Sequence, residues 1–142
     1  MSDLIVSTPA FEHDGLIPVD NTGYGADMSP EFQLQNIDER AKTIAIIMDD
    51  MDHPIFPAYN HWVIWNIPVM QVIPANIPCG KIVEGLAGAV QGRGYGKYRY
   101  RGPNIYTLDC TLELSDSSRK RELLEALNEH VLQHGVLIGY YR

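Results

Sequence analysis

The chain has 142 residues, 11 Lys+Arg against 18 Asp+Glu, and a net charge of -7, which fits one acidic domain spanning 1–142 and makes it a poor general binder of nucleic acid. A hydrophobic share of 45% is enough for one real core and excludes disorder, and no apolar run nears the roughly 18–20 residues that cross a bilayer. The opening Met1-Ser2-Asp3-Leu4 does not read as a signal peptide, and Cys79 and Cys110 lack metal or redox spacing, so we expect a cytoplasmic protein with two reduced thiols rather than a disulfide-stapled one.

Thr43-Ile44-Ala45-Ile46-Ile47-Met48 is a short apolar run rich in β-branched residues and predicts a buried strand. It ends in Asp49-Asp50-Met51-Asp52-His53-Pro54, where polarity rises and proline stops pairing. His61-Trp62-Val63-Ile64-Trp65-Asn66-Ile67-Pro68 predicts a second strand, also closed by proline. Residues 69–104 are rich in Gly, Pro and Asn and predict long loops with short strands. From Ile105 to Leu114, Tyr106, Leu108, Cys110, Leu112 and Leu114 alternate with Thr107, Asp109, Thr111 and Glu113. That period of two predicts one long antiparallel strand with the first set inward and the second toward water. A helix follows, capped by Asp116 or Ser117, with Leu123, Leu124, Leu127, Val131 and His134 on one stripe and Gly135 just past its end. Residues 136–141 then return as a strand. Many strands and one late helix predict a mainly β sandwich or barrel-like sheet decorated by a helix.

Three constellations bear on function. The first is Asp49, Asp50, Asp52, His53 and His61 at the ends of the two apolar strands. If those strands are neighbours, Asp50 meets His61, fixes its tautomer and leaves the other ring nitrogen for a ligand oxygen. A hydrated acidic loop that merely stops the strand is the plainer alternative. A metal-assisted hydrolase using Asp49, Asp50, Asp52 and His61 is another, although no recognised metal motif accompanies them. The second is 92–103, where Arg93, Lys97, Arg99 and Arg101 lie among three tyrosines and several glycines. Such a strip can cradle an anion or remain a solvated loop. It stands out because residues 1–80 hold two basic and eleven acidic side chains, whereas 81–142 hold nine and seven. The third is His130 with His134, four apart on the expected helix; such a pair can hold zinc but no third ligand is evident, and His134, on the apolar stripe, reads as a packed, hydrogen-bonded helix-end histidine. Trp62 and Trp65 are three apart and so face opposite sides of their strand; one of them covers a second layer or a partner subunit, and a homodimer is one outcome.

Taken in order, these segments resemble a known family. Ser7-Thr8-Pro9-Ala10-Phe11, Ile17-Pro18, Tyr24 and Ser29-Pro30 look like the opening of phosphatidylethanolamine-binding proteins of the bacterial and archaeal Raf-kinase-inhibitor-like branch. Residues 47–54 are similar to that family's D-P-D-A-P stretch, and 61–68 resemble its H-W-V-V-W-N-I-P almost residue for residue. Gly92, Gly94, Tyr95 and Gly96, then Tyr100, Gly102 and Pro103, look like G-x-N-[FY]-G followed by Y-x-G-P. Residues 130–142 are similar to the family's closing helix and strand.

The resemblance implies an antiparallel Greek-key β-sandwich, with one C-terminal helix followed by a strand, and a small pocket for phosphate-like or carboxylate anions. Asp50, Asp52, Pro54, His61, Gly102 and Pro103 match its pocket motifs, and Tyr100 and Tyr141 are further candidates. It implies a non-catalytic protein without cofactor or metal that binds an anion or phospholipid head group. The alternative within the family is a kinase or protease inhibitor acting through surface loops around a vestigial pocket. The chain also departs from the pattern. Only Asn104 and Ile105 separate Pro103 from Tyr106, so the family's P-P-x-G-x-H-R-Y segment and its second pocket histidine are missing. Met51 and His53 replace a proline and an alanine, Gly94 an asparagine, and Leu34 a tryptophan. His53, or an arginine from 93–101, is the expected substitute donor.

Overall fold

The structure, a computed structural model, describes residues 4–13, 15–16, 29–50, 59–75, 77, 83, 86, 89–92, 102–137 and 139–140. For Leu16, Asp49, Asp50, residues 59–61, Gly102, Gly139 and Tyr140 the description is of the backbone alone. Among the described residues, ten strands and one helix follow one another as β1 (Ile5–Ser7), β2 (Gly15–Leu16), β3 (Phe32–Gln35), β4 (Thr43–Asp50), β5 (Tyr59–Pro68), β6 (Val72–Ile73), β7 (Val90–Gln91), β8 (Gly102–Leu108), α1 (Lys120–Leu127), β9 (Val131–Val136) and β10 (Gly139–Tyr140).

The apolar run at 43–48 forms β4, the central strand of a five-stranded antiparallel sheet ordered β7-β5-β4-β8-β9. Within it, β8 returns to lie beside β4 after β5 and β7 have been laid down on the other side, which is the Greek-key arrangement. Both faces of β4 are covered, which is why its sequence reads as a continuous apolar run rather than an alternating one. On one face, Ile44, Ile46 and Met48 pack with Phe32, Leu34 and Ile73 of a three-stranded antiparallel sheet ordered β1-β3-β6. On the other, Ala45 and Ile47 pack with Trp65, Leu108 and the helix residues Leu123 and Leu127. Each fully buried isoleucine here contributes about 1.5–3 kcal/mol of transfer free energy. A short parallel pair of β2 and β10 completes the strand set.

Two bulges shape β5. Ile44 pairs Ile67 and Ile46 pairs Ile64, so Trp65 and Asn66 together face the single residue Ala45. Asn66 takes the left-handed conformation, φ 57°, that asparagine tolerates better than most residues. Its carboxamide donates to the Leu112 carbonyl at 2.9 Å and accepts from the Leu112 amide at 2.8 Å. The extra residue lets Ile64 and Ile67, three apart, enter the same core. Trp62 and Trp65 do lie on opposite faces, and Trp65 is covered within the chain by the helix layer.

Three expectations about the C-terminal half need correction. The strand predicted over 105–114 runs from Gly102 to Leu108 instead. Its inward set is right, since Tyr106, Leu108, Cys110, Leu112 and Leu114 all join the helix-side core, but Thr107 is buried rather than facing water. The sheet is covered on both faces there, and the Thr107 hydroxyl is satisfied by Gln133 at 3.1 Å. The helix begins at Lys120 with Arg119 as its N-cap, not Asp116 or Ser117. Ser115 closes a turn first: its carbonyl accepts from the Ser118 amide and its hydroxyl from the Ser117 amide. The helix ends at Leu127, because the chain reverses through Glu129 at φ 70°. Val131, His134 and Gly135 therefore belong to β9, not to a helical stripe, and Leu124 is 38% exposed.

Candidate functional site

Of the expected site residues, Asp50, His61, Gly102 and Pro103 fall on three adjacent strands. At the end of β4, Asp50 is paired with Tyr59 and Asp49 with Asn60 across the β5 side. On the β8 side, Asp49 is paired with Gly102 and Met48 with Pro103. The second bulge of β5 lies here: Met48 pairs Trp62 and Asp49 pairs Asn60, so His61 is the inserted residue. The backbone register thus gathers Asp49, Asp50, His61, Gly102 and Pro103 at one end of the central sheet. The proximity expected between Asp50 and His61 is one of neighbouring backbone positions, offset by the bulge rather than directly opposed. Asp52, His53, Pro54, Tyr100 and Tyr141 lie outside the described residues, as do Cys79 and the basic strip at 93–101.

The core next to this end is apolar. Met48, Trp62, Ile105 and Leu137 are buried in one core cluster. The Trp62 indole N–H donates to the Gln91 carboxamide at 2.7 Å, tying β5 to β7. The Leu137 amide donates to the Pro103 carbonyl at 3.2 Å, which holds the segment after β9 against the start of β8. Pro103 is accommodated because it stands at the beginning of its strand, where a missing N–H is least disruptive. Such a platform fixes the backbone positions at the strand ends without using core side chains to do so.

The far end of β8 carries a cluster that sequence reasoning missed. Asp109, Cys110 and His130 bring a carboxylate oxygen, a thiol sulfur and an imidazole nitrogen within 4.8 Å of one another. His130 Nδ1 is 2.9 Å from Asp109 Oδ1, and the Asp109 amide donates to the His130 carbonyl at 3.0 Å. Burial first, and then the neighbouring Asp109 carboxylate, push the Cys110 thiol pKa up. The pairing of Leu108 with Val131 creates the cluster by bringing the ends of β8 and β9 together. Reading residues 128–131 as continuous helix hid that pairing. His134 does not share His130's surroundings: its ring stacks on Tyr106 with centroids 4.6 Å apart, and its Nε2 lies 2.9 Å from Asn104 Oδ1.

Known proteins resemble this chain along almost its whole length. A sequence model described as phosphatidylethanolamine-binding protein matches residues 7–142. A UPF0098 protein of Pyrococcus abyssi is 34% identical, with 98% of this chain and 85% of that protein aligned. A UPF0098 protein of Methanothermobacter thermautotrophicus is 36% identical, with 96% and 97% aligned. Among solved structures, a phosphatidylethanolamine-binding protein homolog from Chlamydia trachomatis superposes with a TM-score of 0.84 at 23% identity, covering 100% of this chain and 99% of the other. Escherichia coli YbcL, described as a new member of the mammalian PEBP family, gives 0.85 at 18% identity, covering 99% of each. At those identities the two structures speak for the fold.

Proposed function

Given that the chain belongs to the phosphatidylethanolamine-binding protein family, we propose that it is a cytoplasmic, non-catalytic module that binds a small phosphate-like or carboxylate anion, free or as a phospholipid head group. The observation that carries this reading is the register that gathers Asp49 and Asp50, His61, and Gly102 and Pro103 at one end of three hydrogen-bonded strands. In the proposal, Asp50 orients the His61 ring, and the ring donates to the anion. The starts of β5 and β8 flank the anion, Asp52, Pro54, Tyr100 and Tyr141 are further ligand-binding candidates by their match to the family motifs, and His53 is the candidate second donor. A charge-assisted hydrogen bond of this kind contributes about 1.5–3 kcal/mol. Two such bonds, about 3–6 kcal/mol together, support affinity on the order of tens of micromolar to millimolar.

NMR titration with inorganic phosphate, following the His61 ring, tests the reading. The ring resonances should move in a saturable way, more strongly as pH falls and the imidazole becomes charged. His61→Ala should abolish the response. A ring that stays unmoved at millimolar phosphate overturns the proposal. Parallel titrations with glycerophosphoethanolamine and with phosphatidylethanolamine vesicles separate a free anion from a lipid source.

A further inference from the structure

We propose that Asp109, Cys110 and His130 form a binding site for a thiophilic divalent cation, Zn2+ in the first place, at the end of β8 remote from the anion site. Gly102 and Asp109 are seven residues apart along β8 and its extension, about 20 Å at the rise of a strand. The two sites are therefore separate, and this one does not depend on the anion-binding proposal.

The donor set decides the ion. A thiolate, an imidazole and a carboxylate are ligands of zinc, whereas Mg2+ and Ca2+ take oxygen. The spacing fits as well. Ligands at about 2.0–2.1 Å in a tetrahedron stand about 3.3 Å apart, and a sulfur at about 2.3 Å stands slightly farther. The three donor atoms here lie within 4.8 Å of one another, with the nitrogen and oxygen at 2.9 Å. Binding a metal requires the Asp109–His130 contact to open from 2.9 Å to about 3.3 Å.

The backbone that presents them is already fixed. Asp109 and His130 are joined by a main-chain hydrogen bond of 3.0 Å, and the His130 amide is held by the Leu127 carbonyl at 2.9 Å. The Cys110 carbonyl accepts from the Thr43 hydroxyl at 2.6 Å. Both the imidazole and the carboxylate are a little under half exposed, which gives the ion a path in and leaves a fourth position for water. Arg40 and Lys42 act electrostatically on Asp109 and Cys110 respectively. Lys42 offsets only part of the burial and Asp109 repulsion that keep the Cys110 thiol protonated, so the incoming metal must displace that proton. On binding, the thiol proton leaves to solvent, the sulfur lone pair goes to the metal, and the neutral imidazole keeps its single N–H on the nitrogen that does not ligate.

Cobalt titration of the full, chelator-stripped and reduced chain tests the site. Co2+ should bind at one equivalent with a thiolate-to-cobalt charge-transfer band, and Zn2+ should displace it while Mg2+ and Ca2+ do not. Cys110→Ser should remove the band, and His130→Asn and Asp109→Asn should each weaken Zn2+ binding by about 100-fold or more, beyond the cost of losing an outer partner. Cys79→Ser should leave band and affinity unchanged. All four positions are tested in variants whose circular dichroism matches the parent chain. Absence of the band at stoichiometric Co2+ overturns the proposal. So does its survival in Cys110→Ser, its loss in Cys79→Ser, or an unchanged affinity in His130→Asn.

Discussion

Thr107 on β8 and Gln133 on β9 are direct cross-strand partners, and the threonine hydroxyl donates to the Gln133 carboxamide oxygen at 3.1 Å in a buried environment. The same oxygen accepts from the Asp38 amide at 2.7 Å, and Gln133 Nε2 donates to the Asn36 carbonyl at 2.8 Å. One side chain thus ties the end of the main sheet to the connection between β3 and β4.

Gln133→Leu should accordingly destabilise the protein by about 2–4 kcal/mol, because it strands several polar partners at once. Thr107→Val, which keeps the shape and removes one donor, should cost about 1 kcal/mol. Urea unfolding of both variants checks the order, and an equal cost for the two would contradict it.

Asn66 supports a second comparison. Asn66→Ala loses both bonds to Leu112 and forces a side chain with a Cβ into φ 57°. Asn66→Gly loses the same bonds but fits the backbone. The glycine variant should therefore be the more stable of the two by about 1 kcal/mol. Thermal or urea denaturation that ranked alanine above glycine would show that the bulge does not hold its conformation.

His134 carries a pH dependence. Burial lowers its pKa from the ordinary 6.5, since the charged ring would lose water against Tyr106. The unfolded chain then binds the proton more readily than the folded one. The resulting stabilisation is fully present above pH 6.5 and is lost as pH falls through the folded pKa. NMR titration of the His134 ring should give a midpoint below 6.5, and His134→Phe should flatten the stability profile below that pH. A midpoint above 6.5 in the folded protein would reverse the sign.

The parts of this fold that sequence makes legible are those decided by one segment at a time. Residues 43–48 and 61–68 are apolar because both faces of β4 and β5 are covered, and each forms a strand wherever its partners lie. The family motifs carry the Greek-key topology for the same reason: they occupy β4, β5 and the start of β8. What stays hidden depends on pairing between distant residues. The left-handed Asn66 is set by the Leu112 backbone, 46 residues on, so counting in steps of two along β5 goes wrong beyond Trp65. The helix appears longer than it is because Val131 and His134 happen to continue the spacing of Leu123 and Leu127, while the reversal at Glu129 leaves no hydrophobic signature. Asp109 and His130 become neighbours only once β8 and β9 are aligned.

The central position of β4 has a consequence for measuring ligands. Ile44 to Met48 lie between two strands and beneath two covering layers, so their amide protons should exchange with solvent only when the whole domain opens. Their deuterium uptake then reports global stability, and an anion that bound at the Asp49 end of the same strand would slow it by the ratio of its free concentration to its Kd, plus one. The quietest part of the molecule would thus serve as the gauge for what binds at its edge.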